Sequence, residues 1–115
     1  MKAILKGLFN DFYDVDSYYP DDDECFSLSL LLRIGTEDSN SADNFDLFVC
    51  SPKWISENVW EPRIFRHTLI TREYNINEIK KIIESYIAKC DGNTWLEVAE
   101  KLSRYFAWEY EDYQA

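Results

Sequence analysis

Seven carboxylates fall between residues 11 and 24: Asp11, Asp14, Asp16, Asp21, Asp22, Asp23 and Glu24. Three tyrosines, Tyr13, Tyr18 and Tyr19, stand among them. Acids at this density could hold a hard cation, transfer protons, or attract a cationic partner. A calcium loop needs ligands at fixed positions, a glycine at its sharp turn and a closing bidentate glutamate. A register starting at Asp14 puts Tyr19 at the turn and Cys25 at the closing position, and one starting at Asp11 puts Tyr13 at a ligand position. Both fail, so specific calcium binding is not expected. A nuclease-like pairing of Pro20-Asp21 with Glu78-Ile79-Lys80 can be written, but Glu78 and Lys80 fall on a predicted helix with an ordinary exposed face.

Other catalytic signatures are missing. The single histidine, His67, lies in a strand-like stretch and reads as a partly buried structural residue, although a Cys–His dyad needs no sequence adjacency. Cys25, Cys50 and Cys90 occupy strand or apolar helix positions, where cysteine behaves as a small buried hydrophobe. With three glycines in the chain, a phosphate-cradling loop is not expected. The chain therefore reads as a non-enzyme without metal or cofactor, the enzyme alternative resting on His67 or a cysteine.

What remains is surface. Tyrosine supplies large contact area at low entropic cost, and carboxylates pair with lysine and arginine. Residues 11–24 thus read as a docking patch for a basic protein, against the plainer reading of a solvated loop with its tyrosines tucked onto a sheet. A second candidate is the tail, where Glu109, Glu111 and Asp112 flank Tyr110 and Tyr113. Trp54 and Trp60 read as core or staple residues. Charge supports the first patch. Of 22 acids and 12 bases in 115 residues, eleven acids but only Arg33 among the bases lie in residues 7–52. That segment carries the whole net charge of −10, a one-sided field that attracts cations and repels nucleic acid and anionic membrane.

These residues need a frame. At 115 residues, with 46% apolar and 17% aromatic content, one folded domain over 1–115 is expected. "KAILKGLF" (2–9) reads as a strand. "CFSLSLLLRI" (25–34) alternates, with Phe26, Leu28, Leu30, Leu32 and Ile34 on one face. A polar turn over 35–44 leads to a strand at 45–51. Ser51 and Pro52 predict a short helix, and 64–73 a further strand. Asn75 starts a helix with Ile76, Ile79, Ile83 and Ile87 at helical spacing. "DGN" ends it, with Gly92 suited to a left-handed residue. A second helix starts at Thr94, and "YFAWEYEDY" alternates as a closing strand, with a continuing helix as the alternative. The plan is α+β: an antiparallel sheet of four or five strands with a C-terminal helix pair packed on one face.

The order "YYP", "RIG", "FDLFVCSPKWI", "IFRHTLITREYN", "IKKIIESYIAKCDGNTWLEVAEKL", "WEYEDY" resembles the immunity protein 8 family of bacterial polymorphic and contact-dependent toxin systems. The resemblance spans nearly the whole chain. It implies a small cytoplasmic antidote that binds a cognate toxin domain and blocks its active site or an exosite, without activity of its own. Such families fix no catalytic residues, so none are carried over. The acidity suggests a basic, nucleic-acid-cleaving toxin. The expected toxin-binding residues are Asp11, Tyr13, Asp14, Asp16, Tyr18, Tyr19, Asp21 to Glu24, Glu109, Glu111 and Asp112. The odd, unpaired cysteines, the lack of a basic-apolar leader and the lack of a long apolar run suggest a reducing cytosol and no membrane partner. A monomer is expected. The competing reading is an acidic nucleic-acid mimic that inhibits a DNA-binding protein.

Overall fold

The structure, a computed structural model, describes residues 1–111. Its centre is a hairpin of β2 (Ser27–Thr36) and β3 (Asp43–Cys50), with β1 (Ala3–Phe9) antiparallel on the outer side of β2. The alternation of apolar residues decides which face is buried. Leu32 faces Phe45, Leu30 faces Leu47 and Leu28 faces Val49 across the hairpin, and all six point into the core. A bulge between Leu5 and Gly7 then brings Leu5 opposite Ile34 and Leu8 opposite Leu32. The hairpin loop needs Gly35, because a side chain there would strike the backbone carbonyl of Ser41. Lys6 ties the same loop down through the carbonyls of Ser39 and Ser41.

The outer edge of β3 is shared by two short strands. β4 (Thr68–Ile70) lies parallel to Phe48–Cys50, and β5 (Ala107–Trp108) lies antiparallel to Phe45–Asp46. The sheet is therefore mixed, though mostly antiparallel. A parallel neighbour follows from the connection: α1 (Pro52–Asn58) carries the chain across before β4 begins. The strand expected over 64–73 shrinks to three residues because His67 sits at φ 53°, a left-handed conformation that breaks extended pairing. Its carbonyl still accepts from Phe48 N at 3.1 Å. The closing strand is likewise shorter than the 105–113 alternation suggests, and its last residues lie outside those described.

Helix starts match their local signals. The Ser51 hydroxyl accepts from Trp54 N and Pro52 fills the first turn of α1. Asn75 caps α2 (Ile76–Ile87) by accepting from Asn77 N and Glu78 N. Thr94 caps α3 (Trp95–Leu102), and Glu97 reaches back to accept from Asn93 N at 2.7 Å. Gly92 departs from expectation, for its φ is not positive. Glycine is suited there by proximity instead, since a Cβ would lie 2.9 Å from that of Glu97. Ile79, Ile83 and Ile87 of α2 and Val98, Ala99 and Leu102 of α3 join the sheet residues in one core. Each isoleucine, valine or leucine among them contributes roughly 1.5–3 kcal/mol by leaving water, and Ala99 less. No helix among the described residues is long and apolar enough to cross a membrane.

Candidate functional site

The acidic loop leaves β1 through Asn10. Its side-chain carbonyl accepts from Phe12 N (2.8 Å) and Tyr13 N (3.0 Å), while its amide donates to the Ser29 carbonyl (2.7 Å). Asp14 then turns the chain, its carbonyl accepting from Ser17 N and Tyr18 N and its carboxylate from the Ser17 hydroxyl. Val15 and Pro20 are buried and anchor the loop. The far end is fixed by three long-range bonds. The Asp23 carbonyl accepts from Tyr74 N at 2.7 Å. Phe26 N donates to the buried Ser51 hydroxyl at 3.1 Å, and Ser51 N donates back to the Phe26 carbonyl. One hydroxyl thus caps α1 and closes the loop.

Held this way, Asp11, Asp14, Asp16, Asp21, Asp22 and Glu24 are exposed and Asp23 is half-buried. Tyr13 and Tyr19 are exposed, and Tyr18 is half-buried against Tyr13, their ring centres 4.3 Å apart. Burial, then the neighbouring Tyr13 and Asp21, raises the Tyr18 phenol above its ordinary value. Tyr19 is raised chiefly by its hydrogen bond to the Asp23 carboxylate, at 3.2 Å. Asp22 is held below the usual carboxylate range, first by the Glu24 N–H it accepts and then by Lys53, 3.5 Å away. Lys53 lies just beyond the base-poor segment, and only the fold brings it to Asp22. The pair is exposed and worth little to stability.

The two expected groups of residues are not brought together. The loop sits where Ser27 pairs Cys50, whereas Glu109 N bonds the Asn44 carbonyl near the opposite end of β3. Six residues of strand separate them, about 20 Å. Glu109 is exposed, but Glu111 is half-buried and paired with Arg66. Asp112 lies outside the described residues.

Other residues show what periodicity missed. Phe12, amid the acids, is 86% exposed. Trp60 is 84% exposed and Ile64 95% exposed, so Trp60 is not a core or staple residue; Trp54 is half-buried outside the core, its ring 5.4 Å from that of Phe48. Both outliers follow α1, where no repeat marks a face, and the Glu61-Pro62 break was their only sequence signal. Tyr74 packs edge-on to Tyr18, Tyr19 and Phe26 beneath the loop. Cys25 is not a buried strand residue. It is half-buried ahead of β2 and donates to the Glu57 carboxylate at 3.0 Å, which raises its thiol pKa. Burial raises Cys50 and Cys90 as well. The His67 Nε2 bonds the Ser103 carbonyl at 2.8 Å, tying the segment before β4 to the end of α3. Among the described residues, no cluster of His, Cys, Asp or Glu is arranged to hold a metal ion.

The family described as Immunity protein 8 matches residues 3–113, nearly the whole chain. No curated protein and no solved structure matches.

Proposed function

We propose, from the premise that this chain belongs to the immunity protein 8 family, that it neutralises its toxin by docking the acidic loop against a basic surface. Membership makes the chain an immunity protein for a bacterial toxin. The finer reading rests on one observation: six exposed carboxylates and two exposed tyrosines stand on a loop whose anchors, Val15, Pro20 and the Tyr74 N–H, all lie on its inner side. The outward side is therefore preset, and a partner meets it without first ordering it.

A toxin that cleaves nucleic acid has a cationic cleft, and carboxylates can occupy such a cleft in place of phosphate. Complementary charge also speeds encounter, which suits an antidote that must act before its target does. Glu109 and Glu111 form a lesser contact, since Glu111 is already paired. A nucleic-acid mimic would instead spread acids along the 42 Å length of the molecule, whereas here seven of the eleven acids in residues 7–52 stand on one loop. The protein acts as a single-domain monomer in a reducing cytoplasm, an assignment its three free thiols support. It needs no cofactor and catalyses nothing.

The test is direct. Purified chain is mixed with the toxin domain encoded beside it, and binding and toxin activity are measured. Tight binding with loss of toxin activity is expected, both weakened when Asp11, Asp16 and Asp21 are changed to asparagine. Unchanged binding by that variant would move the interface off the loop.

A further inference from the structure

The two faces of the sheet are treated differently. α2 and α3 fill the side shared by Leu28, Leu30, Leu32, Phe45, Leu47 and Val49. The alternate residues point the other way. There Phe9, Leu31 and Asp46 lie abreast on β1, β2 and β3, with Ser29 and Phe48 abreast in the neighbouring row. Phe9 is 48% exposed, and its ring lies over Gly7, where a Cβ would come within 2.5 Å of it. Leu31 and Phe48 are half-buried outside the core, and α1 covers one corner of the face through Trp54 on Phe48. Contiguous apolar surface of this kind marks a contact site. The acidic loop borders it at both ends. Asn10 follows Phe9 and donates to the Ser29 carbonyl, and Phe12, two residues on, stands exposed and edge-on to Tyr13. At the far end Asp22 pairs with Lys53 and Cys25 donates to Glu57, both on α1.

We propose that the toxin seats an apolar prominence on Phe9, Leu31 and Phe48, while cations beside that prominence meet the acidic loop and Asp46. The proposal rests on the docking reading above and adds a centre to the rim that the loop supplies. Size is one reason. A specific interface takes roughly 20–30 residues from each partner, and the loop has fourteen, residues 11–24. Anatomy is another, because interfaces place an apolar, desolvated centre inside a polar rim, and the loop's exposed carboxylates suit only the rim. Charge names the partner. Asp46 is exposed and has no side-chain hydrogen-bond or ion-pair partner among the described residues, and with Ser29 and Phe48 it borders a concavity of about 410 Å³. The cations nearby are engaged: Arg33 donates to the Asn44 side chain at 3.4 Å, and Arg66 pairs with Glu111. The charge this face offers is therefore negative, like that of the loop, and it suits a basic toxin. A second copy of this chain would bring acid against acid.

Hydroxyl-radical footprinting of the intact chain, alone and mixed with the toxin domain encoded beside it, reads this surface residue by residue and needs no variant. Phe9 and Trp54 should each react at least about threefold more slowly in the complex, as residues at an interface centre lose water. Ile82 and Tyr86, exposed on α2, should keep their rates. Stopped flow adds a kinetic signature. Phe9→Ser alters an exposed ring, and Leu31→Lys sets a lysine opposite Asp46, a pairing that a sheet tolerates. Both should dissociate about tenfold faster or more, with Phe9→Ser associating like the parent. That is the reverse of the Asp11, Asp16, Asp21 triple variant, whose loss lies in association. Protection of Tyr13 and Tyr19 with Phe9 and Trp54 still reactive sinks this inference and leaves loop docking intact. Protection of Phe9 and Trp54 with both tyrosines still reactive upholds the face and sinks the loop. If both variants dissociate like the parent, the face contributes nothing and the inference is overturned. It is also overturned if the chain alone sediments as a dimer with Phe9 protected, for then a second copy is the occupant.

Discussion

Asp43 offers the sharpest quantitative test of how the frame is held. One of its carboxylate oxygens accepts from two indoles, Trp95 Nε1 at 2.8 Å and Trp108 Nε1 at 3.0 Å. These bonds tie the first turn of α3 and strand β5 to the start of β3. Asp43→Ala strands both donors. A buried unmet donor costs about 1–3 kcal/mol, and half-exposure brings each indole to the lower half of that range, so the pair should cost about 3 kcal/mol. Unfolding entropy for a chain this long is about 0.24 kcal/mol/K, so Tm should fall by about 12 °C. Asp43→Asn keeps an acceptor of the same shape and should lose less than half as much. Urea unfolding followed by tryptophan fluorescence gives the free energy, and the native emission should shift red as Trp95 and Trp108 meet water. The reasoning fails if Asp43→Ala loses under about 0.5 kcal/mol, the range of an ordinary surface change, or if both variants lose equally. The alanine variant should also perturb Glu109 through β5, leaving the acidic loop untouched.

Four further outcomes are expected. Among the described residues Asp11, Asp16 and Asp21 have no side-chain hydrogen-bond partner, so changing all three to asparagine should leave Tm within about 2 °C. Screened Coulomb attraction to a few partner cations about 10 Å away makes the same variant associate about sixfold more slowly at 0.15 M salt and about as fast as the parent at 1 M, by stopped flow; a salt-independent effect would contradict the charge argument. Tyr18, Tyr19 and Tyr74 have raised phenol pKa values in the fold. The stability they add is complete below the ordinary value near 10 and lost as pH climbs through the higher folded values. Phenolate absorbance should therefore rise late and together with unfolding, and three tyrosines titrating normally in the native state would count against the packing. Finally, the Cys25 thiol is raised first by its bond to Glu57, so Glu57→Ala should speed its alkylation at neutral pH by at least about twofold, with Cys90 unaffected.

Elements defined by local rules were legible in the sequence. The alternation of β2 set its buried face, and Ser51, Asn75 and Thr94 each cap the helix they were expected to start. What escaped was decided by distant partners. The 64–73 alternation could not disclose that His67 turns left-handed to offer its carbonyl to Phe48. Nor does any spacing relate Asp43 to Trp95 and Trp108, or Lys53 to Asp22. The loop's acids and tyrosines were visible as composition. Their arrangement depends on Val15, Pro20 and Tyr74, and Tyr74 lies some fifty residues further along the chain.

The divided outer edge of β3 bears on crowding. An immunity protein is useful in proportion to how much of it is present before toxin arrives, and abundant sheet proteins risk joining edge to edge. On one side of this sheet a foreign strand would meet three residues of β4 running one way and two of β5 running the other, too little to template an added strand in register. On the other side, β1 is interrupted by its bulge, and the Lys6 side chain is held on the hairpin loop. The fold thus ends in borders that give a foreign strand little to pair with.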